Sequence, residues 1–207
     1  MLTKFILMEL MLWGIVVVNF FVNQYKKCWS FLCESQWYVV FALGIFCLMF
    51  LVGFAYPVFF RDEIFGFIAE MIGMLEGKSV LGLVVYIFLN NLKASFIAII
   101  SGVVVGVFPF VIAVVNGYLV GFVAREAVMQ EGLFVLWQLA PHGIFELPAI
   151  LLSIGIGLKI GISLFGGDVK KKLKYNFIEA FRFFVFIVFP LLLIAGIIEG
   201  AFIGVLG

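Results

Sequence analysis

Long, mostly apolar runs alternate with short polar segments along the chain, and the clear runs cover residues 37–60, 80–124, 133–161 and 177–206. A helix needs about 20 apolar residues to cross about 30 Å of hydrocarbon, so the run 80–124 is long enough to cross twice. The pattern therefore predicts an all-α, polytopic transmembrane helical bundle. It would have five spans, or six if the apolar residues 5–23 also cross.

The run 80–124 decides the predicted topology. If the chain turns back near Phe108-Pro109-Phe110, most positive charges fall on one side of the membrane: Lys26, Lys27, Lys159, Lys170, Lys171, Lys172, Lys174 and Arg182. Positive charge accumulates in cytoplasmic loops. We therefore expect a helical hairpin at this turn, a cytoplasmic lysine segment, and a multi-pass protein of the cell membrane whose first partner is the lipid bilayer.

The predicted organisation has two units and a surface helix within the second. Residues 1–30 form an amino-terminal apolar unit that either crosses the membrane or lies at its surface, and residues 31–207 form the multi-span domain. Within the multi-span domain, just before the hairpin, the segment RDEIFGFIAEMIGMLEGK repeats apolar residues such as Ile64, Phe67 and Met71 at helical spacing. This periodicity predicts an amphipathic helix on the outer surface.

Composition agrees with a membrane protein, since 66% of residues are hydrophobic and 12% are charged. That is too little polar surface for a soluble globule of this size. The net charge of +1 comes from scattered residues, without the basic and aromatic stripe that nucleic-acid binding requires. Motifs of the HExxH, GxSxG and Walker types are absent, so no catalytic residue can be assigned.

Glycines recur at four-residue spacing within the apolar runs. This spacing lets neighbouring transmembrane helices approach closely. We predict helix-packing roles for seven of them: Gly102, Gly106, Gly117, Gly121, Gly196, Gly200 and Gly204.

Five polar side chains interrupt the runs at similar depth: Asn91, Asn116, His142, Glu146 and Glu199. In the hairpin topology each lies about 12 to 17 Å below the outer surface, at 1.5 Å per helical residue. His142 and Glu146 are four residues apart and therefore share a helical face. Since ionisable groups inside a membrane are normally paired or functional, we predict one polar pocket in the outer half of the bilayer. Pro141 predicts a broken or re-entrant helix beside it.

The chemistry of this pocket stays open among three alternatives. It could be a hydrogen-bonded network that fixes helix packing, or part of a proton or solute pathway. It could also hold a divalent metal on His142, Glu146 and Glu199, which would suit an intramembrane metal-dependent hydrolase, because a metal site needs three or four such ligands. No motif establishes a cofactor, and a homo-oligomer is compatible with the sequence.

Three segments carry a family resemblance: LAPHGIFELPAILLSIGIGLKIG, NNLKASFIAIISGVVVGVFPFVIAVVNGYLVGF and AGIIEGAFIG. Together they resemble the stage II sporulation protein M family over roughly residues 37–205. The resemblance implies an all-helical protein with about five crossings, and places the recurring polar positions of the family on Asn91, Gly117, Pro141, His142, Glu146, Pro148 and Glu199. The namesake acts with peptidoglycan-cutting partners, which implies membrane or cell-envelope protein partners here.

Overall fold

The computed structural model describes the backbone of residues 2–75 and 77–206, and the side chains of residues 14–70, 73–74, 77–137 and 143–199. The described residues form helices and no strands. The seven α-helices are α1 (Leu2–Ala55), α2 (Arg61–Leu75), α3 (Val80–Ile100), α4 (Val107–Glu131), α5 (Val135–Ile162), α6 (Val169–Phe183) and α7 (Phe189–Leu206). A 3-10 turn, Ser101–Val103, follows α3, and a π-helical turn, Phe184–Val188, joins α6 to α7.

Five helical segments in the described part of the chain are long and apolar enough to cross a membrane: Gly14–Ala55, Val80–Val103, Val107–Glu131, Gly143–Ile162 and Val169–Glu199. The predicted all-α polytopic bundle with five spans is therefore confirmed. The predicted amphipathic segment also forms a helix, α2, which carries Asp62 and Glu63 in its first turn. Negative charge there is favourable because the amino-terminal end of a helix carries partial positive charge.

The first helix is longer than predicted. It runs without a break from Leu2 to Ala55, so the apolar residues 5–23 and the run that begins at residue 37 belong to one element. Its 54 residues extend over about 80 Å at 1.5 Å per residue. The predicted unit boundary near residue 30 thus falls inside α1, and this helix alone exceeds twice the hydrocarbon thickness of a bilayer.

The predicted hairpin lies between α3 and α4, and the chain turns at Ser101–Gly106, a few residues before Phe108. Gly106 adopts φ 71°, a left-handed conformation that favours glycine, and its backbone lies against Gly161 of α5. Pro109 sits in the first turn of α4, where its missing N–H leaves no helical hydrogen bond unmade. The hairpin prediction is therefore confirmed.

Helix α5 forms the centre of the bundle and is the most buried of the five candidate spans. It packs against α1, α3, α4 and α7. Two apolar clusters surround it, one including Ile156 with Phe183 and Leu192, the other including Ile154 with Ala98. The helix continues through both Pro141 and Pro148, so the prediction of a broken helix at Pro141 was wrong.

Several of the predicted packing glycines lie where helix backbones meet. A Cβ atom on Gly117 or Gly121 would overlap a carbonyl oxygen of α1, and one on Gly102 would overlap the carbonyl of Gly157 in α5. Gly196 is different, since a Cβ there would make only ordinary contact with Phe88 and Val84. Gly200 and Gly204 lie outside the residues whose side chains are described.

Candidate functional site

A cavity of about 640 Å³ lies between α3, α4 and α5, with one residue of α1 at its edge. Among the described residues its wall is mostly apolar and contains three polar side chains. The lining residues are Phe50, Asn91, Asn116, Leu119, Val120, Val123, Ala124, Leu136, Gly143, Ile144, Glu146, Leu147 and Ile150. The volume lies within the range of about 300 to 1,000 Å³ that is usual for small-molecule sites.

Glu146 is the one carboxylic acid among these lining residues. It lies on α5 and is only 4% exposed. A carboxylate has about four lone-pair positions on its two oxygens, so it can take part in more than one hydrogen bond at once. Among the described lining residues this group is the strongest hydrogen-bond acceptor, and it also takes part in an interaction within the protein.

Two amides accompany the carboxyl group. Asn116 on α4 donates one N–H to the carbonyl of Ile112 at 2.8 Å, which fixes its amide along its own helix. Its carbonyl oxygen and second N–H remain available. Asn91 on α3 also lines the cavity, and its side chain makes no hydrogen bond to the described part of the chain. The two amides and the carboxyl group therefore line the same cavity from three different helices.

The polar residues of the cavity lie near the middle of their helices, and its apolar lining continues to Ala124 and Leu136, toward the end of the bundle where α1 stops. Asn116 is nine residues before Arg125, whose guanidinium donates to the carbonyls of Phe54 and Ala55 at 2.9 and 3.3 Å, where α1 ends. It is ten residues after Gly106, at the other end of α4. These separations correspond to about 14 and 15 Å along the helix. Asn116 therefore lies well inside the candidate span Val107–Glu131.

Helix α2 connects the ends of α4 and α3 on the side of the bundle where α1 ends. In its first turns Arg61 pairs with Glu126 of α4 at 3.3 Å, and the ring of Phe65 packs edge-on against Phe122 at 5.5 Å. Further along α2, Met74 lies 3.7 Å from the hydroxyl of Tyr86 on α3. The surface helix therefore links the two helices that diverge around the cavity.

The structure thus brings Asn91, Asn116 and Glu146 to one cavity. Glu199 is a partly buried residue of α7 and is not among the described residues that line this cavity. The side chain of His142 lies outside the described residues. A role for the full set in one functional pocket stays a prediction.

The described side chains offer no group of three His, Cys, Asp or Glu residues that could hold a metal ion. The metal site considered from the sequence requires His142, which lies outside the described side chains. The described residues therefore give the metal-dependent hydrolase no support.

A second polar cluster was not predicted from the sequence. Lys159 on α5 donates to Glu34 of α1 at 3.1 Å and to the hydroxyl of Ser35 at 3.2 Å. Tyr175 on α6 donates to the other oxygen of Glu34 at 2.9 Å. The lysine ammonium also lies 4.1 Å from the centre of the Phe31 ring, within the range of a cation–π interaction. The sequence signal for such a cluster was the presence of isolated ionisable residues in apolar helices, because these residues are normally paired.

Comparison with protein-family models identifies the family of this chain. The model of the family described as stage II sporulation protein M matches residues 5–203. The chain belongs to this family. The match begins well before residue 37, so the first half of α1 is part of the family's sequence pattern, in agreement with a continuous first helix.

Two relatives come from Methanocaldococcus jannaschii. The uncharacterized protein MJ0706 is 26% identical over 174 residues, which cover 78% of this chain and 77% of the relative. The uncharacterized protein MJ0793 is 34% identical over 90 residues, which cover 42% of this chain and 51% of the relative. The alignment thus spans about half the length of MJ0793. No solved structure matches the chain.

Proposed function

We propose that this stage II sporulation protein M family member is a transporter-like protein of the cell membrane. Its α3–α4–α5 cavity binds a ligand with an apolar body and a hydrogen-bond-donating head. The observation that carries the proposal is the buried Glu146 carboxyl group, which lines a cavity of about 640 Å³ together with Asn91 and Asn116, while the other described lining residues are apolar. Intramembrane carboxyl groups commonly mark substrate or ion pathways.

The chemistry of the wall limits the ligand class. The carboxyl group of Glu146 and the carbonyl oxygens of Asn116 and Asn91 are acceptors, and the two amides also supply three N–H donors. A primary amine or alcohol would donate to these oxygens. The aliphatic side chains around them, such as Leu119 and Ile150, would cover the hydrocarbon part of the same molecule.

The first test uses matched small probes. Octylamine, octanol and octanoic acid share one chain length and differ only in the head group. We expect octylamine and octanol to raise the melting temperature of the detergent-purified protein, because both donate hydrogen bonds to the wall. Octanoate should have the smallest effect, because it would bring a second carboxylate close to Glu146. Transport of the probe that binds best is then measured in proteoliposomes.

Two variants separate the cavity from the rest of the surface. Glu146→Gln keeps the shape of the side chain but removes the carboxyl group, and should reduce the stabilisation by octylamine more than that by octanol. Glu126→Gln is the matched control, since Glu126 pairs with Arg61 away from the cavity. Equal responses in both variants, or no response to any probe in the wild-type protein, would contradict the proposal.

Assembly with another membrane or envelope protein is a second candidate, favoured by the length of α1. The helical segment Gly14–Ala55 has 42 residues and extends over about 63 Å, roughly twice the hydrocarbon thickness, with Lys26 and Lys27 between its two apolar parts. An upright helix of this length cannot be covered by one bilayer. Large side chains in its first half, such as Val16 and Phe20, are exposed and require a covering surface.

Photo-crosslinking in native membranes tests this second candidate. Val16 and Leu51 are both 62% exposed and lie in opposite halves of α1. A crosslinking amino acid at position 16 should form a defined protein adduct, whereas one at position 51 should label lipid. If both positions label only lipid, then the membrane covers the whole helix and the assembly candidate fails.

A further inference from the structure

A second cavity, of about 350 Å³, lies between α1, α5 and α6, at the end of the bundle away from Arg125. It is smaller than the first cavity and has a different wall. The lining residues are Glu34, Tyr38, Lys159, Ile162, Ser163, Phe165, Lys172, Tyr175 and Asn176. Most of them carry a polar or charged group, so the cavity is suited to a polar ligand.

Part of this wall is already hydrogen-bonded within the protein. The carboxylate of Glu34 receives Lys159 at 3.1 Å and Tyr175 at 2.9 Å. The hydroxyl of Ser163 donates to the carbonyl of Ile160 at 2.6 Å. These contacts neutralise the one carboxylate of the wall and leave it little capacity to bind a cation.

Two other groups of the wall have no such partner in the described part of the chain. Asn176 is only 5% exposed, and its side-chain amide makes no hydrogen bond to the described residues, although a buried amide normally finds one. Lys172 is exposed, and its ammonium group, which lies next to Gly166 at the cavity, forms no ion pair with them. Because Lys159 is already paired with Glu34, the cavity presents one unpaired cation, Lys172, and one buried amide, Asn176, to a ligand.

We propose that this cavity binds a phosphate group. Its wall carries two lysines against one carboxylate, and three more lysines, Lys170, Lys171 and Lys174, share the helix of Lys172. An ammonium and an amide N–H both donate to phosphate oxygens. An anion would supply the acceptor that Asn176 and Lys172 lack. A cation would meet the unpaired Lys172 instead.

Position within the bundle favours a lipid as the source of the phosphate. Lys159 lies three residues before the end of the candidate span Gly143–Ile162, and Lys172 lies near the start of the span Val169–Glu199. The cavity is therefore at the level where the helices leave the hydrocarbon, which is the level of the headgroups. Basic pockets between helices at that level bind anionic lipid headgroups.

Native mass spectrometry of the delipidated full-length protein tests the proposal. Phosphatidylglycerol and phosphatidylcholine are titrated separately, and the bound lipid is counted. We expect phosphatidylglycerol to bind in preference, and Lys172→Gln to weaken its binding about fivefold, which corresponds to the contribution of one lysine near an anionic headgroup. Asn176→Asp should also weaken binding, because it replaces an N–H donor with an acceptor that repels phosphate.

Lys171→Gln is the matched control, since it removes the same charge from the same helix but does not line the cavity. If it weakens binding as much as Lys172→Gln does, then general surface charge explains the binding and the proposal is overturned. Inorganic phosphate provides the second arm. Binding of inorganic phosphate that depends on Lys172, without preference for phosphatidylglycerol, would keep the phosphate site and assign it to a soluble anion. Failure of both probes to bind would overturn the proposal.

Discussion

The ammonium of Lys159 lies 3.1 Å from a carboxylate oxygen of Glu34, and this pair joins α5 to α1 across 125 residues of sequence. The two partners differ in environment, since the side chain of Lys159 is 12% exposed and that of Glu34 is 44% exposed. Removing the glutamate would leave a nearly buried ammonium without its counter-ion. Removing the lysine would leave a carboxylate that water still reaches.

The asymmetry predicts unequal effects on stability. Glu34→Gln should lower the free energy of unfolding by about 2 kcal/mol, less than the loss of a fully buried pair because Glu34 is partly solvated. Lys159→Met should cost less, since its long apolar stem is kept. Unfolding in mixed detergent micelles measures both. The double variant should show a coupling of about 1 kcal/mol, and strictly additive effects would mean that the pair contributes little.

The hydroxyl of Tyr118 holds the turn after α1 in place. It accepts from the backbone N–H of Phe59 at 3.0 Å and donates to the carbonyl of the same residue at 2.9 Å. Tyr118→Phe should therefore lower the free energy of unfolding by about 1 to 2 kcal/mol, because it leaves two backbone groups of the turn unbonded. Tyr86→Phe is the control, since the Tyr86 hydroxyl has only a 3.7 Å contact with sulfur. Equal losses would show that the turn does not depend on this hydroxyl.

Close packing of α4 on α1 gives a third prediction. A Cβ at Gly121 would overlap the backbone carbonyl of Phe50, which cannot move aside as a flexible side chain would. Gly121→Ala should therefore lower the free energy of unfolding by about 1 to 3 kcal/mol. Gly44→Ala, on α1, meets no atom within 4 Å and should be neutral or slightly stabilising. Thermal unfolding of the two variants compares them directly, and similar melting temperatures would argue against this helix contact.

Much of the fold could be predicted because the sequence features that specify it can be read along the chain without knowing which helices pack together. Span length, the uneven distribution of lysine and arginine, and the periodicity of residues 61–75 are all visible along the chain. The continuity of α1 was missed because Lys26 and Lys27 were placed in a cytoplasmic segment between two apolar runs. A better signal was present, since no glycine or proline occurs between Gly14 and Gly44.

The candidate site could be predicted only in part. Counting residues inward from the outer ends of the helices placed Asn91 and Asn116 at a similar depth, and depth is enough to bring side chains to one level. Which helix faces meet depends on packing, so the pairing of Glu34 with Lys159 could not be foreseen. Pro141 misled for another reason, because neighbouring helices in a membrane can satisfy the backbone group that a proline frees.

Sidedness of the membrane remains a prediction from charge. Lys78 and Gly167 are exposed and lie in turns at opposite ends of the bundle. In a background without the native cysteines Cys28, Cys33 and Cys47, a membrane-impermeant thiol reagent added outside should label Lys78→Cys and spare Gly167→Cys. Permeabilised cells provide the control, where both positions should react. The reverse pattern in intact cells would place the lysine segment outside.

The last prediction concerns a substitution that fills the α3–α4–α5 cavity. It tests whether octylamine needs the space of this cavity, whereas Glu146→Gln tests whether it needs the carboxyl group. Val123 lines the cavity, and Val115 lies two turns earlier on the same helix and does not. Both valines are exposed, at 37% and 55%, so a larger side chain at either position has room and should leave the fold intact. Val123→Phe should abolish the stabilisation by octylamine, since its ring would occupy the volume that the alkyl chain needs. Val115→Phe should preserve it, and if octylamine stabilises both variants equally, then the probe binds elsewhere and Glu146 faces a cavity that serves helix packing alone.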